Sequence, residues 1–338
     1  MNLYEFGDNE IYVTKMGLGL AALGRPGYIN LGHDADLGDN KSAEHMATRA
    51  SVMLDFAWNK GIRYFDAARS YGKAEAFLGE WLIAKNIPEP EINVGSKWGY
   101  TYTAGWQTSL PDGEKHEVKE HSLPILERQL LESLSALPGH LDLYQIHSAT
   151  LESGVLDNSA VLKKLAEMRN SGLLIGLSVS GPNQAAVIEK ALSIQLDGKR
   201  LFDSIQATWN LLEQSAGSSL QAASDLGVGV IIKEAVANGR LTSKNNNPQF
   251  MNKMLRLTAA AKALNVGVDA IALAAVITQP FVDITLSGAA RIDHLESNLQ
   301  AVDIVESNSA APLLTELVND FSETAKVYWG IRSDLAWN

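Results

Sequence analysis

The sequence predicts an α/β protein built as a (β/α)8 TIM barrel, with an N-terminal β-hairpin before the barrel and a C-terminal tail after it. Eight short apolar runs are spaced along the chain, and at least one helical pattern follows each of them. Several runs are apolar at every position, which is typical of parallel strands buried on both faces. Right-handed strand–helix units repeated in this way close into a barrel. No linker, low-complexity tract or block of charge divides the chain, so we expect one domain over residues 1–338.

The individual elements follow from local patterns. A turn at Gly7-Asp8-Asn9 joins two short runs and predicts the hairpin at about 3–15. We expect the barrel over about 16–304, with strands at 16–20, 62–65, 92–97, 141–146, 173–179, 204–207, 228–232 and 282–286, and a tail over about 305–338. Leucines at helical spacing, such as Leu123, Leu126 and Leu130, indicate the helices between strands. The polar stretch 99–121 and the glycine- and asparagine-rich stretch behind the seventh strand are predicted as loops.

The composition argues against several classes of protein. A formal net charge of −11 disfavours a general nucleic-acid binder, because such binding depends on contacts between cations and phosphates. No apolar run approaches the roughly 20 residues of a membrane span, and we expect no membrane partner. The absence of cysteine and of a secretory leader agrees with a cytoplasmic location.

Two partial motifs point elsewhere, and we reject both. Gly17, Gly19 and Ala22 match the spacing of a dinucleotide fingerprint, but a polar loop follows them where that motif needs a helix. His116 and His121 flank a glutamate, yet they are five positions apart and would lie on different faces of a helix. We therefore expect neither a Rossmann fold nor a metal site.

Ionisable side chains stand at the ends of three neighbouring predicted strands. Asp66 ends the second strand with Tyr71 just beyond it, Lys97 ends the third, and His147 ends the fourth. Any one of them alone is more often a capping, packing or solvated residue. Since function in a barrel lies at the carboxyl ends of the strands, their concentration there favours a site.

The four residue types also suit one kind of chemistry. A phenol has an ordinary pKa near 10, and a neighbouring ammonium lowers that pKa. A carboxylate would hold the ammonium in place and balance its charge, while a neutral imidazole could orient a substrate oxygen. Such a set protonates an oxygen on which negative charge develops.

At this point the chain resembles the aldo-keto reductase family. The resemblance rests on an ordered set of segments: 65–75, Ser96-Lys97, Ile146-His147, 176–178, Gln206 with 209–212, 237–241, 287–289 and 295–298. It runs from the hairpin to about residue 304 in the order of the family. Any one of these segments is a weak signal, and the ordered set is specific.

The resemblance implies an oxidoreductase that moves a hydride between a nicotinamide and the carbonyl of an aldehyde, ketone or sugar. Tyr71 would donate the proton, Lys97 and Asp66 would tune it, and His147 would position the substrate. The residues implied for the cofactor are Ser178 and Gln206 for the carboxamide, Glu234, Ala237 and Gly239 for the pyrophosphate, and Gly288, Arg291, His294 and Asn298 for the adenosine end.

The chain departs from the family pattern at several positions. Lys233 stands where an aromatic residue commonly stacks on the nicotinamide, and Val179 stands where an asparagine is usual. Lys233 could equally meet a cofactor phosphate, contact the substrate or be solvated. Trp98 and Trp209 are candidates for the substrate pocket. The tail aromatics Tyr328, Trp329 and Trp337 would either line the pocket or, in our preferred interpretation, cover the flank of the barrel.

We expect NADPH as the cofactor, with NADH as the alternative, because Arg291 is placed to meet a 2′-phosphate. Two other functions stay open: an NAD-dependent sugar dehydrogenase, and a cofactor-sensing regulatory subunit without substantial turnover. The sequence indicates neither the particular carbonyl substrate nor the oligomeric state.

Overall fold

The structure, a computed structural model, describes residues 1–337. Its strands are β1 (Tyr4–Phe6), β2 (Asn9–Val13), β3 (Met16–Gly19), β4 (Tyr64–Asp66), β5 (Asn93–Trp98), β6 (Tyr100–Tyr102), β7 (Glu117–Lys119), β8 (Leu143–Ala149), β9 (Leu174–Val179), β10 (Gln195–Leu196), β11 (Lys199–Arg200), β12 (Ser204–Thr208), β13 (Gly229–Lys233) and β14 (Ile284–Ser287). The α-helices are α1 (His33–Leu37), α2 (Ala43–Asn59), α3 (Ala74–Lys85), α4 (Leu123–Ala136), α5 (Ser159–Asn170), α6 (Gln184–Leu192), α7 (Gly217–Asp225), α8 (Met251–Leu264), α9 (Val268–Ile277), α10 (Ile292–Ser307), α11 (Ala311–Phe321) and α12 (Ala325–Ser333).

Eight parallel strands form a closed barrel in the order β12-β13-β14-β3-β4-β5-β8-β9. The barrel closes where β14 pairs with β3, with Thr285 opposite Met16. Each strand corresponds to one of the predicted apolar runs, so the predicted fold class is confirmed. The strands are buried along nearly their whole length, since side chains fill the barrel on one face and helices cover the other.

The N-terminal hairpin β1–β2 closes one end of the barrel. Phe6 and Val13 are fully buried in a cluster with the barrel residues Tyr64, Leu143, Ile231, Ile284 and Leu286. The barrel makes room for the hairpin at Gly229, where an added Cβ would lie 2.5 Å from the Phe6 ring. The backbone nitrogen of Asp8 donates to the carbonyl of Gly227 at 2.8 Å. This apolar plug leaves only the opposite end, where the strands reach their carboxyl termini, open for a polar site.

We expect Val13→Ala to lower the free energy of unfolding by roughly 1.5–3 kcal/mol, because it removes buried methyl groups from this plug. Denaturant melts measure the loss. Val52→Ala is the matched control, since Val52 is 47% exposed on α2. If both substitutions have equally small effects, the hairpin contributes little to the closure of the barrel.

Two stretches that were predicted to be loops contain regular secondary structure. The stretch 99–121 contains the small antiparallel hairpin β6–β7, in which Thr101 pairs with Val118. Three-residue strands are too short to show a clear alternating pattern. The segment behind β13 continues into helix α8, whose buried stripe is Leu257, Ala260 and Ala261. Two alanines give a weak apolar signal, which explains why the helix was missed.

Candidate active site

A cavity of about 410 Å³ opens at the carboxyl end of the barrel. Asp66, Tyr71, Gln206 and Lys233 lie at the barrel mouth, and the wall continues to Gly288, His294 and Asn298 at the start of α10. The rest of the wall comes from residues within the segments 19–22, 28–36, 234–244 and 267–269. The cavity therefore connects Asp66 and Tyr71 with most of the predicted cofactor residues, whereas Lys97 and His147 are buried next to its wall and do not line it.

Lys97 and Asp66 form a fully buried ion pair between β4 and β5. The Lys97 ammonium contacts Asp66 Oδ2 directly and donates to the carbonyl of Ala67 at 2.8 Å. The other carboxylate oxygen, Oδ1, accepts from Gln206 Nε2 at 2.9 Å and from the Tyr64 hydroxyl at 3.3 Å. Both charges thus have close partners, which is the condition for burying them. The resemblance implies that Gln206 binds the nicotinamide carboxamide. In the structure its side-chain amide donates one hydrogen bond to Asp66.

Tyr71 is held at the mouth of the barrel by a tight turn after β4. Its backbone nitrogen donates to the carbonyl of Ala68 at 3.0 Å, and the nitrogen of Lys73 donates to the carbonyl of Gly24 at 2.7 Å. Gly72 adopts φ +61°, and an added Cβ there would lie 2.5 Å from the Gly24 oxygen. A glycine is therefore required next to the tyrosine.

The surroundings of the Tyr71 phenol favour its protonated form. The Lys97 ammonium lies 5.0 Å from the ring centroid. Burial, and secondly the charge of Asp66, nevertheless raise the pKa of Tyr71, while Arg25 acts in the lowering direction. This is opposite to the direction expected from a neighbouring ammonium. The physical reason is that Lys97 is already paired with Asp66, so desolvation dominates and the phenol keeps its proton.

His147 meets Tyr71 edge to face, with ring centroids 5.4 Å apart and an interplanar angle of 84°. Its Nδ1 lies 3.4 Å from Ser70 Oγ. Burial, followed by the charges of Lys97 and Arg25, places the pKa of His147 well below its ordinary value. The imidazole is consequently neutral at neutral pH, as the sequence argument requires. The His147 ring therefore packs against Tyr71, which lines the cavity, although His147 itself is not on the cavity wall.

Lys233 points into the site. Its ammonium donates to Ser180 Oγ and to Thr208 Oγ1, both at 2.9 Å, and lies 4.0 Å from Glu234 Oε1. Burial lowers the pKa of Lys233 to about 8, against the raising effect of Glu234. The side chain is only 16% exposed, so the solvated alternative for Lys233 is wrong.

Glu234 is anchored by the C-terminal tail. Arg332 of α12 donates from Nε to Glu234 Oε2 at 2.9 Å and contacts Oε1 with its second nitrogen. Burial alone would raise the pKa of Glu234, but Arg332 and then Lys233 lower it to about 2. The charge is therefore permanent at neutral pH. Arg332 was not identified from the sequence, because nothing in the tail indicates which strand it reaches.

Arg25 is a second residue that the sequence did not indicate. It is 3% exposed, its guanidinium carbon lies 5.3 Å from the Tyr71 ring centroid, and Nη1 donates to Glu117 of β7 at 2.8 Å. Trp337 packs on the same guanidinium at 4.7 Å. Trp337 thus lies beside the site. Tyr328 and Trp329 are instead buried in the core, as the preferred interpretation of the tail as a cover for the barrel expects. An arginine in a polar loop carries no local signal of this role.

The structure places the predicted cofactor residues unevenly. Gln206, Lys233, Glu234, Gly239, Gly288, His294 and Asn298 line the cavity, and Ser178 and Ala237 lie behind its wall. Ser178 Oγ accepts from the backbone nitrogen of Ser148 at 2.8 Å. Arg291 is 44% exposed and pairs with Asp293 at 2.9 Å, away from the wall. Its proximity in sequence to the adenosine segment did not bring its side chain into the cavity.

The two tryptophans proposed for the substrate pocket are core residues. Trp98 is fully buried, with its ring 5.5 Å from that of His121, and Trp209 packs on Phe281 at 5.8 Å. Neither indole belongs to the cavity wall. Trp98 is the last residue of β5, and because side chains alternate along a strand it lies on the face opposite to Lys97. Trp209 directly follows β12.

Two loops meet over the cavity. The backbone nitrogen of Leu31 donates to the carbonyl of Asn238 at 3.0 Å. Lys244 contacts both oxygens of Asp36, at 2.5 and 2.6 Å. His294 Nδ1 lies 3.8 Å from the same carboxylate. These contacts join the segment after β3 to the loop after β13 at the end of the cavity remote from Tyr71.

A barrel with a buried ion pair, a phenol and an imidazole at its carboxyl end has the architecture of a barrel enzyme. The sequence matches the model of the Aldo/keto reductase family over residues 15–319, and the chain belongs to that family. Membership implies oxidoreductase activity on small carbonyl compounds with a nicotinamide cofactor.

Individual relatives are distant. The chain is 23% identical over 321 residues to "Uncharacterized oxidoreductase YqkF" of Bacillus subtilis, covering 90% of this chain and 92% of the relative. It is 25% identical over 351 residues to "Protein tas" of Escherichia coli, covering 90% and 94%. Aldo-keto reductase AKR11C1 from Bacillus halodurans, in its holo form, shares the fold with a TM-score of 0.70 and 19% identity, over 96% of this chain and 97% of that one.

Among the described residues, no single helix is long and apolar enough to cross a membrane. The bent pair 248–264 and 268–277, with an 88° angle, meets the length and composition test together.

Proposed function

We propose that the protein is an NADPH-dependent reductase of an aldehyde, ketone or sugar carbonyl, with Tyr71 as the proton donor. One observation carries the proposal. Tyr71 is a neutral, buried phenol on the wall of the cavity, with the Lys97–Asp66 pair on one side and the His147 ring on the other. This arrangement can hold and protonate a carbonyl oxygen at one position.

The cavity suits a nicotinamide dinucleotide. It extends from the barrel mouth to Gly288, His294 and Asn298, and Gly288 has open space where a Cβ would stand. The Asn298 amide, oriented to satisfy both of its polar atoms, donates to Asp269 at 2.6 Å and accepts from Ser287 at 2.8 Å. When bound, the nicotinamide would supply the hydride in reduction and accept it in the reverse reaction.

The residues of this chain would orient the substrate and move the proton. The carbonyl oxygen would lie between the Tyr71 hydroxyl and the neutral His147 imidazole, which can donate a hydrogen bond to it. Tyr71 would give its proton as negative charge develops on that oxygen, and the Lys97 ammonium nearby would stabilise the resulting phenolate. Asp66 would keep Lys97 in place. In oxidation the same groups act in reverse.

The choice between NADPH and NADH depends on the remote end of the cavity. Lys244 and His294 are on the wall and can meet a 2′-phosphate, whereas Arg291 is not on the wall. Asp36 and Asp269 are there too, and a carboxylate near the ribose favours NADH, because it accepts from the 2′-hydroxyl and repels a phosphate. An NAD-dependent sugar dehydrogenase is therefore the second candidate.

Titration with NADPH and NADH, followed by tryptophan fluorescence, tests the cofactor proposal directly. A screen of aldehydes, ketones and sugars, monitored by nicotinamide absorbance in both directions, tests the reaction. Absence of binding by either dinucleotide would refute the proposed function. The expected cytoplasmic location stays a prediction from composition.

We expect Asp36→Asn to raise the affinity for NADPH relative to NADH by about tenfold, because it removes the carboxylate that holds Lys244 and faces His294. Dissociation constants for both dinucleotides measure the change. Asp34→Asn is the matched control, since Asp34 lies on the same helix α1 and pairs with Lys41. An equal change in both affinities would mean that Asp36 does not act at the 2′-position.

A further inference from the structure

Lys233 is a buried cation on the wall of the cavity, and the proton-transfer scheme does not use it. Lys233 is the last residue of β13, and in the sheet it pairs with Thr208 of the neighbouring strand β12. Its ammonium is directed by Thr208 Oγ1 and Ser180 Oγ, each 2.9 Å away. The hydroxyls fix the position of the charge, since a lysine side chain would otherwise turn toward solvent.

The cation is not needed to neutralise its neighbour. Glu234 already has a bidentate contact with Arg332, whose Nε–Oε2 distance is 2.9 Å, whereas Lys233 lies 4.0 Å from the same carboxylate. The asparagine side chain of Asn210 further anchors this turn by donating to the Glu234 carbonyl at 2.9 Å. Burying a charge has a cost, so a cation without a structural need points to a functional one.

The charges around the barrel-mouth end of the cavity do not balance. Among the described residues, four cations face three carboxylates: Lys97, Lys233, Arg332 and Arg25 against Asp66, Glu234 and Glu117. Each of the other three cations has a direct carboxylate partner within 2.8 Å. Lys233 has only the longer 4.0 Å contact with Glu234, a carboxylate that Arg332 already neutralises, and His147 is neutral. This end of the cavity therefore has a net positive charge.

The proposed function places the nicotinamide at this end. A hydride passes to the carbonyl carbon while Tyr71 protonates the attached oxygen, so the reacting ring has to lie beside Tyr71. Tyr71 shares the wall of the cavity with Asp66, Gln206 and Lys233, and Gln206 donates to Asp66 at 2.9 Å. The ring consequently shares this space with the Lys233 ammonium.

We propose that Lys233 makes the site select the reduced nicotinamide over the oxidised one. The inference rests on the proposed function. The oxidised ring carries a positive charge and the reduced ring is neutral, so a fixed cation repels the former and leaves the latter unaffected. The dinucleotide phosphates are the same in both forms, and their attraction to Lys233 cancels from the comparison. The enzyme would release the oxidised product readily and favour reduction over oxidation.

The direct test compares the dissociation constants of NADPH and NADP⁺ for the wild-type protein and for Lys233→Met. We expect the wild type to favour NADPH, and the substitution to reduce that preference on the order of tenfold, mainly by tightening the binding of NADP⁺. Lys233→Arg keeps the charge and should keep the preference. The control for loss of a cation elsewhere is Lys190→Met. Lys190 is an exposed residue of α6 that pairs with Asp157.

A second neutral variant, Lys233→Gln, keeps the test valid if Lys233→Met does not fold. Lys233→Gln keeps a polar but neutral group near Ser180 and Thr208, and thermal melts report whether either variant is folded. The preference should also decline as the pH rises through about 8, where Lys233 loses its proton. The groups that set this pKa after burial are Glu234 and Asp66, which raise it, and Arg332 and Lys97, which lower it. Arg332 stays charged in that range, because its pairing with Glu234 raises its pKa further.

The outcomes separate this inference from the proposed function. If the wild type binds both dinucleotides and the ratio is the same in the neutral variants, the inference fails while the proposed function stands. If the neutral variants weaken both forms equally, Lys233 is a phosphate anchor, and the inference fails again. If the wild type binds neither form, both proposals fail together.

Discussion

Replacement of Tyr71 by phenylalanine is expected to lower kcat by roughly 10²–10⁴-fold, because the substitution removes the proposed proton donor and leaves the rest of the site in place. The ring contacts with His147 at 5.4 Å and Lys97 at 5.0 Å involve the aromatic face and edge, which phenylalanine keeps. The dissociation constant of the dinucleotide should therefore change little. Steady-state kinetics with a reducible aldehyde, together with fluorescence titration of the cofactor, measure both quantities.

The matched control is Tyr144→Phe. Tyr144 is also fully buried, but its hydroxyl lies 3.3 Å from Ser133 Oγ behind β8, away from the cavity. We expect normal turnover from that variant. Unchanged turnover in Tyr71→Phe would remove the residue from the role of proton donor. A parallel loss in both variants would mean that the effect is structural.

Replacement of Lys97 by methionine is expected to abolish most turnover and to lower the free energy of unfolding by about 3–5 kcal/mol, because it leaves a buried carboxylate without its cation. Asp66 is 2% exposed and would retain only the hydrogen bonds from Gln206 and Tyr64. Denaturant melts at neutral pH measure the stability. The surface variant Lys164→Met, which breaks an exposed pair with Glu167, is the control and should cost no more than about 1 kcal/mol.

A double variant separates stability from catalysis. Adding Asp66→Asn to Lys97→Met removes the unpaired charge and should restore part of the lost stability, since both partners are then neutral. Turnover should stay low, because the ammonium that stabilises the developing phenolate is still missing. A single variant as stable as the wild type would contradict the view that this buried pair is tightly coupled.

Most strands of the barrel and the pairing of Asp66 with Lys97 could be predicted from the sequence. Parallel strands that are buried on both faces leave continuous apolar runs, and the eight runs were found in order. Asp66 and Lys97 could be paired in advance because neighbouring parallel strands end at the same rim, and the structure places their side chains in direct contact. The small hairpin β6–β7 and helix α8 had weak patterns, and only long-range packing stabilises them.

The positions of the residues that surround the Asp66–Lys97 pair could be read only from the tertiary structure. The sequence by itself determined the fold class, the rim that holds Asp66, Tyr71, Lys97 and His147, and, through the ordered set of segments from 65–75 to 295–298, the family. Only the folded chain shows that Arg25 and Arg332 reach this rim, that Arg291 turns away, and that Lys233 is buried on the wall of the cavity that Tyr71 also lines. The physical reason is that strand ends are placed by a periodic pattern, whereas loop and tail side chains are placed by contacts between distant segments. The direction of the Tyr71 pKa depends on the same contacts, since burial and the pairing of Lys97 with Asp66 outweigh the nearness of a single cation.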